Sequence, residues 1–378
     1  MAAIEQYLTA MLNNRGTDLH LNVGLPPTLR VDQQMASFNV SAIDEQQIID
    51  VLREICPPNS WDTFQVERDL DFVYMLKNSV RFRCHYFYDH NGLGAVFHRI
   101  QYEVKSLRKL NLPGVLESVC QFSDGLVLVS GPSGSGKSST LAAMIDYINT
   151  NFRKFVITIE SPIEFVHANK QSIIVQREIG RHCESFVSAI KNAMRAGPDV
   201  VVIGDEINDA ETIKQALTCA AMGILVICTM HTNNASKTLN RLISAFPQNE
   251  HSQIQTLLAK SLVAVVTQIL CDGADGQSKV PALEIIQRSE ILSDTIRSGD
   301  FQNLRALFGD DEVDGMRSMD TSLRELLAQN RISPMEAYMK AIDKQEFAEY
   351  LPEQTYWSAT HVKAKEPTTP EFENCWVP

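Results

Sequence analysis

Residues 125–150 read Gly-Leu-Val-Leu-Val-Ser-Gly-Pro-Ser-Gly-Ser-Gly-Lys-Ser-Ser-Thr-Leu-Ala-Ala-Met-Ile-Asp-Tyr-Ile-Asn-Thr. The apolar run Leu126 to Val129 is strand-sized, and Ser139 to Ile148 carries apolar residues at helical spacing. Between them, Gly131-Pro132-Ser133-Gly134-Ser135-Gly136-Lys137-Ser138 fits G-x-x-x-x-G-K-[ST] in full. The flanking strand and helix are the context this motif requires. Its glycines let backbone N–H groups turn inward on phosphates, and the helix N-terminus adds the positive end of its dipole. Lys137 is placed to bridge the β and γ phosphates and Ser138 to reach Mg²⁺, and Ser139 is a further candidate nucleotide-binding residue. The expected ligands are therefore ATP and Mg²⁺.

Working outward, further short apolar runs without alternation follow at Phe155 to Ile159, Val200 to Ile203 and Leu225 to Cys228. Strands of this kind belong to a mostly parallel sheet covered on both faces, so an α/β three-layer domain is expected. Such a sheet binds its ligand at the carboxyl ends of its strands. There the sequence places Asp205 and Glu206 after Val200–Gly204, Glu160 and Glu164 after Ile157–Ile159, and His231 after Leu225–Met230. A carboxylate after the third run can hold Mg²⁺ or orient the attacking water; Glu206 is preferred over Asp205, with one extra residue in the segment leaving the choice open. Glu160 or Glu164 can serve as general base if their strand neighbours the phosphate-loop strand. His231 is a candidate sensor of the γ phosphate, although a lone histidine at a strand end is more often structural.

Upstream, Ile4 to Leu12 repeat at helical spacing, Leu19, Leu21 and Val23 alternate, and Ile43 to Leu52 read as a helix with Ser41 as its cap. Residues 66–100 read as strands with Asn91-Gly92 as a turn. The expected organisation is an α+β domain over 1–100, a linker over 101–115, the ATPase core over 116–285, a helical region over 286–350 with Pro334 opening a helix, and a flexible tail over 351–378 whose Trp357 and Trp376 hint at docking.

Composition narrows the function. Acidic residues outnumber basic ones 46 to 34, a formal charge of −12, which repels nucleic acid and anionic lipid. No apolar run reaches the roughly 18 residues of a spanning helix, and residues 1–13 carry no secretion signal, so a cytoplasmic protein is expected. The eight cysteines contain no C-x-x-C pair and suggest neither zinc nor a disulfide framework.

Read together, the segments resemble the secretion-ATPase superfamily, and within it the type IV pilus retraction ATPases (PilT and PilU). The resemblance rests on Gly16-Thr17-Asp18-Leu19-His20-Leu21, Gly24-Leu25-Pro26-Pro27, Gly94-Ala95-Val96-Phe97, the phosphate loop, Thr158 to Phe165, Gln176-Arg177-Glu178 and His231-Thr232-Asn233, all in the family's order. It implies a PAS-like N-terminal domain followed by a RecA-like ATPase domain. It further implies a homohexamer with ATP between one subunit's C-terminal domain and its neighbour's N-terminal domain, which makes Arg81, Arg83 and Arg99 candidates to compensate phosphate charge. The implied function is a hydrolytic motor for pilus retraction or a related secretion apparatus, peripheral at the inner membrane through a platform protein. An accessory ring of the PilU kind, binding ATP, hydrolysing weakly and supporting a homologous retraction ATPase, is the alternative. Three departures favour that alternative: Ser161 stands where the family has Asp, Asn208 where its Walker B segment has Arg, and Ile224 where its first His-box histidine lies.

Overall fold

The structure, a computed structural model, describes residues 3–351 except 32, 33, 59, 78, 79, 101–103, 302, 303, 305–307 and 309–314. Of the expected tail, Leu351 is buried in the satellite core of the second unit, and residues 352–378, with Trp357 and Trp376, lie outside the described residues. The chain forms two compact units, one reaching to residue 103 and one beginning at residue 104.

The first unit is built on six antiparallel strands: β1 (Asp18–Asn22), β2 (Thr28–Val31), β3 (Gln34–Ser37), β4 (Asp69–Leu76), β5 (Val80–Asp89) and β6 (Gly92–Ile100), in the order β3-β2-β1-β6-β5-β4. Period-two patterning decides its faces. Phe82, Cys84 and Tyr86 of β5 and Leu93, Ala95 and Phe97 of β6 are buried with Ile4, Leu8 and Met11 of the helix Ala3–Asn13 and with Ile48 and Leu52 of the helix Glu45–Ile55. That second helix is capped by Asp44 rather than the expected Ser41. Asp44 accepts from the Gln47 N–H at 2.8 Å and its own N–H donates to the Gln47 side chain at 3.1 Å, a reciprocal pair Ser41 stands too far upstream to make. The β5–β6 hairpin pairs Asp89 with Gly92, and the Asp89 carboxylate accepts the Asn91 and Gly92 N–H groups.

The second unit carries a seven-stranded sheet: β7 (Gly125–Ser130), β8 (Phe155–Glu160), β9 (Ile173–Glu178), β10 (Val200–Glu206), β11 (Leu225–Met230), β12 (Leu262–Asp272) and β13 (Lys279–Gln287). Its order is β13-β12-β7-β11-β10-β8-β9, parallel throughout except for the antiparallel β12–β13 pair. Both faces are covered. Leu126, Leu128, Val201, Ile203, Val226 and Cys228 pack on one side against the helices Phe186–Arg195, Ala210–Ala221, Ala235–Ser244 and His251–Ser261. Val127, Val129, Val200, Val202 and Ile227 pack on the other against the helix Lys137–Asn151. Burying each such side chain contributes about 1.5–3 kcal/mol, which is why these strands read as continuous apolar runs.

The strands Leu262–Asp272 and Lys279–Gln287 carry no alternation signal that marks them off in the sequence from the helices around them. Beyond them, Met319, Leu323, Ile332, Ala337 and Phe347 form a satellite core on Cys271, Val280 and Ala282. Pro334 does open a helix, Pro334–Lys340, behind the capping hydroxyl of Ser333. No helix among the described residues is long and apolar enough to cross a membrane.

One titration is built into the second unit. His167 lies in the segment joining β8 and β9, where burial first, and the Lys170 charge after it, push its pKa from 6.5 down to about 4 against the opposing pull of Asp146. The unfolded chain takes up this proton below pH 6.5 and the folded chain only near pH 4, so stability present at neutral pH is lost as pH falls through that window. Chemical denaturation at pH 7 and pH 4 is expected to show His167→Gln losing ~3 kcal/mol less than wild type over the interval.

Candidate active site

The parallel strands of the second unit end together, and the crossover order decides what meets there. β11 lies between β7 and β10, so the chain leaving the phosphate-loop strand has His231 as its neighbour in the sheet and Glu206 one strand further on. β8 is separated from β7 by both β11 and β10. The condition on which Glu160 and Glu164 were expected beside the phosphate loop, adjacency of the two strands, is therefore not met. Successive α/β crossovers placed β10 and then β11 between them.

The loop Gly131–Gly136 is shaped for a ligand with many acceptors. Gly131 sits at φ 154°, and a Cβ there would stand 2.2 Å from the Gln268 carbonyl oxygen and 2.5 Å from Ser135 Oγ. Gly136, at φ 86°, is the N-cap of the helix Lys137–Asn151 and supplies no side-chain cap, so the first-turn N–H groups stay open toward the loop. Pro132, Ser133 and Gly134 are exposed at its crest, while Ser138 and Ser139 are half-buried in the first turn. Ser135 is buried and its hydroxyl has no hydrogen-bond partner among the described residues. The Lys137 ammonium folds back to donate to the Gly131 and Pro132 carbonyls at 2.7 and 3.0 Å. Burial lowers the Lys137 pKa and the nearby Glu206 carboxylate raises it in partial compensation. An orphaned hydroxyl, open amides and a cation on backbone carbonyls together fit phosphate oxygens.

Gln268 holds this loop from below. On β12, 3% exposed, it donates its amide N–H to the Ser135 carbonyl at 2.6 Å and accepts the Thr140 hydroxyl at 2.7 Å. A glutamine inside the apolar run Leu262–Cys271 was the available signal for it. Gly131→Ala is expected to cost about 1–3 kcal/mol in thermal unfolding and to weaken nucleotide binding, because the methyl collides with backbone rather than a movable side chain.

The extra residue in the Glu206 segment is absorbed as a bulge. Ile203 pairs with Cys228 and Glu206 with Thr229, so β10 advances three residues while β11 advances one. The bulge tucks Gly204 under Glu160, whose Cγ would stand 2.7 Å from a Cβ at 204. It leaves the Asp205 carboxylate accepting the Glu206 N–H at 2.8 Å. Glu206 faces the loop: its carboxylate contacts His231 Nδ1 and lies 3.9 Å from the Lys137 ammonium. Glu206, His231 and Lys137 are thus brought together, and Asp205 is turned to its own backbone.

The two carboxylates after β8 differ in availability. Glu160 accepts the Thr158 hydroxyl at 2.5 Å, the Gln176 amide at 3.1 Å and the Glu164 N–H; burial raises its pKa and these hydrogen bonds partly reverse the effect. Glu164 is half-buried, and its carboxylate has no hydrogen-bond partner among the described residues. Arg81, Arg83 and Arg99 all lie in the first unit. Arg81 is 8% exposed, Arg83 pairs with Asp71 at 3.4 Å, and Arg99 is exposed on β6. Ile224 packs in the core beneath β11.

Residues 98–354 match the family described as type II/IV secretion system protein. The chain belongs to that family. Among relatives of the secretion-system family, the type IV pilus retraction ATPase PilT of Pseudomonas aeruginosa is 36% identical over 338 residues, 89% of this chain and 98% of that protein. The twitching motility protein of Neisseria gonorrhoeae is 37% identical over 315 residues, 83% of this chain and 84% of that protein. In fold, the crystal structure of the pilus retraction motor PilT with bound ADP superposes with a TM-score of 0.82 at 31% identity, covering 91% of this chain and 98% of that one.

Proposed function

We propose that the chain is the subunit of an ATP-hydrolysing motor that drives retraction of type IV pili. The observation that carries this reading is the convergence of Lys137, Glu206 and His231 at an open phosphate loop, in a chain that shares 36% identity over nearly the full length of a pilus retraction ATPase. In this reading the loop amides and Lys137 bind the β and γ phosphates, Ser138 and Glu206 would hold Mg²⁺, and His231, in contact with Glu206, senses the γ phosphate. An Mg²⁺ held by Ser138 and Glu206 would neutralise phosphate charge during transfer. Glu160 is a structural carboxyl that supports the turn, and Glu164 follows a strand that β11 and β10 separate from the phosphate-loop strand, which leaves Glu206 to orient the attacking water. Asp205 shapes the bulge rather than touching the metal.

The active form is proposed to be a homohexamer in the cytoplasm, acting on an inner-membrane platform protein, with Arg81, Arg83 or Arg99 of an adjacent subunit facing the phosphates. The formal charge of −12 supports a protein partner over a nucleic acid. Deleting the gene in the native host and restoring it as wild type or Lys137→Ala, with labelled pili imaged, tests the assignment. Pili are expected to shorten only with the wild-type copy. Equal shortening with Lys137→Ala contradicts it, and shortening that persists in the deletion strain assigns the chain the accessory place beside a homologous motor.

A further inference from the structure

Arg241 lies on the outward side of the helix Ala235–Ser244, whose inner face, Ala235, Leu239, Leu242 and Ile243, is fixed in the core. Its guanidinium donates in two directions. One terminal nitrogen reaches the His231 carbonyl oxygen at 3.1 Å and the other the Asn208 side-chain oxygen at 3.1 Å. These acceptors belong to the two turns that leave β11 and β10, and the side chains those turns carry into the site are His231 and Glu206. Arg241 also lines the pocket formed by Pro132, Ser133, His231, Thr232 and Asn233.

We propose that Arg241 is a positioning residue that fastens the turn after β10 to the loop after β11, and so fixes the Glu206–His231 pair for hydrolysis. The planar fork of arginine suits two acceptors at fixed separation, whereas a lysine ammonium is a point charge that cannot hold both in that geometry. The helix is a rigid anchor because its buried face cannot shift without opening the core. Asn208 accordingly acts as an acceptor: a positive charge does stand beside this turn, delivered from another helix. The inference rests on the hydrolytic reading for its consequence in turnover, though the fastening itself is a property of the two turns.

The test uses the full-length protein. Arg241→Ala and Asn208→Ala are each expected to lower kcat for ATP by roughly 10-fold with KM changed less than about 3-fold, and the double variant to lose no more than either alone. Arg241→Lys is expected to behave as Arg241→Ala. Hydrogen exchange of peptides covering residues 205–209 and 231–234 is expected to quicken together in both single variants, a readout that holds whether or not ATP turns over. Losses that multiply, a lysine variant with wild-type kcat, or exchange that quickens at only one turn each overturn the proposal. Should Arg241→Ala fail to fold, Asn208→Ala and Arg241→Lys decide the question by the same criteria. Wild-type protein without phosphate release but with the coupled exchange response refutes the hydrolytic reading and leaves the fastening intact.

Discussion

Lys137→Ala is expected to reduce steady-state ATP hydrolysis by ~100- to 1,000-fold, the range seen when one preorganised donor to a developing charge is removed. Phosphate release over a range of ATP concentrations checks it. The argument is local. Lys137 is held at the first position of its helix by the Gly136 cap, its ammonium rests on the Gly131 and Pro132 carbonyls, and burial already lowers its pKa. A cation kept on two neutral carbonyls loses little by turning to phosphate oxygens, where its full charge counts. The alanine variant keeps the helix, since alanine is the best helix former, so its melting temperature is expected to stay near that of the wild type. Hydrolysis that survives the substitution within a few-fold contradicts the assignment of this loop as the catalytic phosphate site.

Glu206→Gln is expected to lower kcat by at least ~100-fold while nucleotide affinity, read by titration of a fluorescent ATP analogue, changes by less than about 5-fold. The amide is isosteric, so the bulge that presents residue 206 beside Thr229 is retained. What changes is charge. The carboxylate contacts His231 and lies 3.9 Å from Lys137, and it is the group that offsets the lowering of the Lys137 pKa by burial. Removing it lowers that pKa further, so the alkaline limb of the residual pH–rate profile, where Lys137 loses its charge, should move to lower pH. Asp205→Asn serves as contrast: among the described residues its carboxylate accepts only the neighbouring Glu206 N–H, and a loss as large as that of Glu206→Gln contradicts the division of roles between the two.

Several of these features were legible in the sequence, and the reasons differ. The phosphate loop needed no structure because a strand, a glycine-spaced turn and a helix are specified by local patterning, and Lys137–Asn151 begins where the motif places it. The strands β7, β8, β10 and β11 followed from unbroken apolar runs, since a strand covered on both faces has no polar side to break the run. Strand order was not legible. Nothing in Ile157–Glu164 states that two later strands will insert between it and β7, and the position of Glu160 therefore depended on topology that only the fold supplies. The choice of Glu206 over Asp205 rested on register, because one inserted residue changes which carboxylate faces the loop, and the bulge that resolves it leaves no compositional mark. Arg241 was invisible for a related reason: it sits ten residues beyond His231 on an ordinary amphipathic helix, and its role comes from two turns that approach it in space.

The departures at Ser161, Asn208 and Ile224 suggested weak hydrolysis, and the geometry answers two of them in part. Arg241 stands against Asn208, and Ile224 is a core residue beneath β11 rather than a member of the site. Ser161 is exposed in the turn that carries Glu164, and its effect on turnover has no structural account here.

The central claim, hydrolysis of ATP by an assembled ring, is tested most directly by phosphate release from the purified full-length protein with MgATP, with molecular mass recorded by light scattering on the same sample. The expected result is sustained turnover by a species of six subunits. Tight nucleotide binding with no phosphate released over many hours, or turnover by a species that remains monomeric, contradicts it.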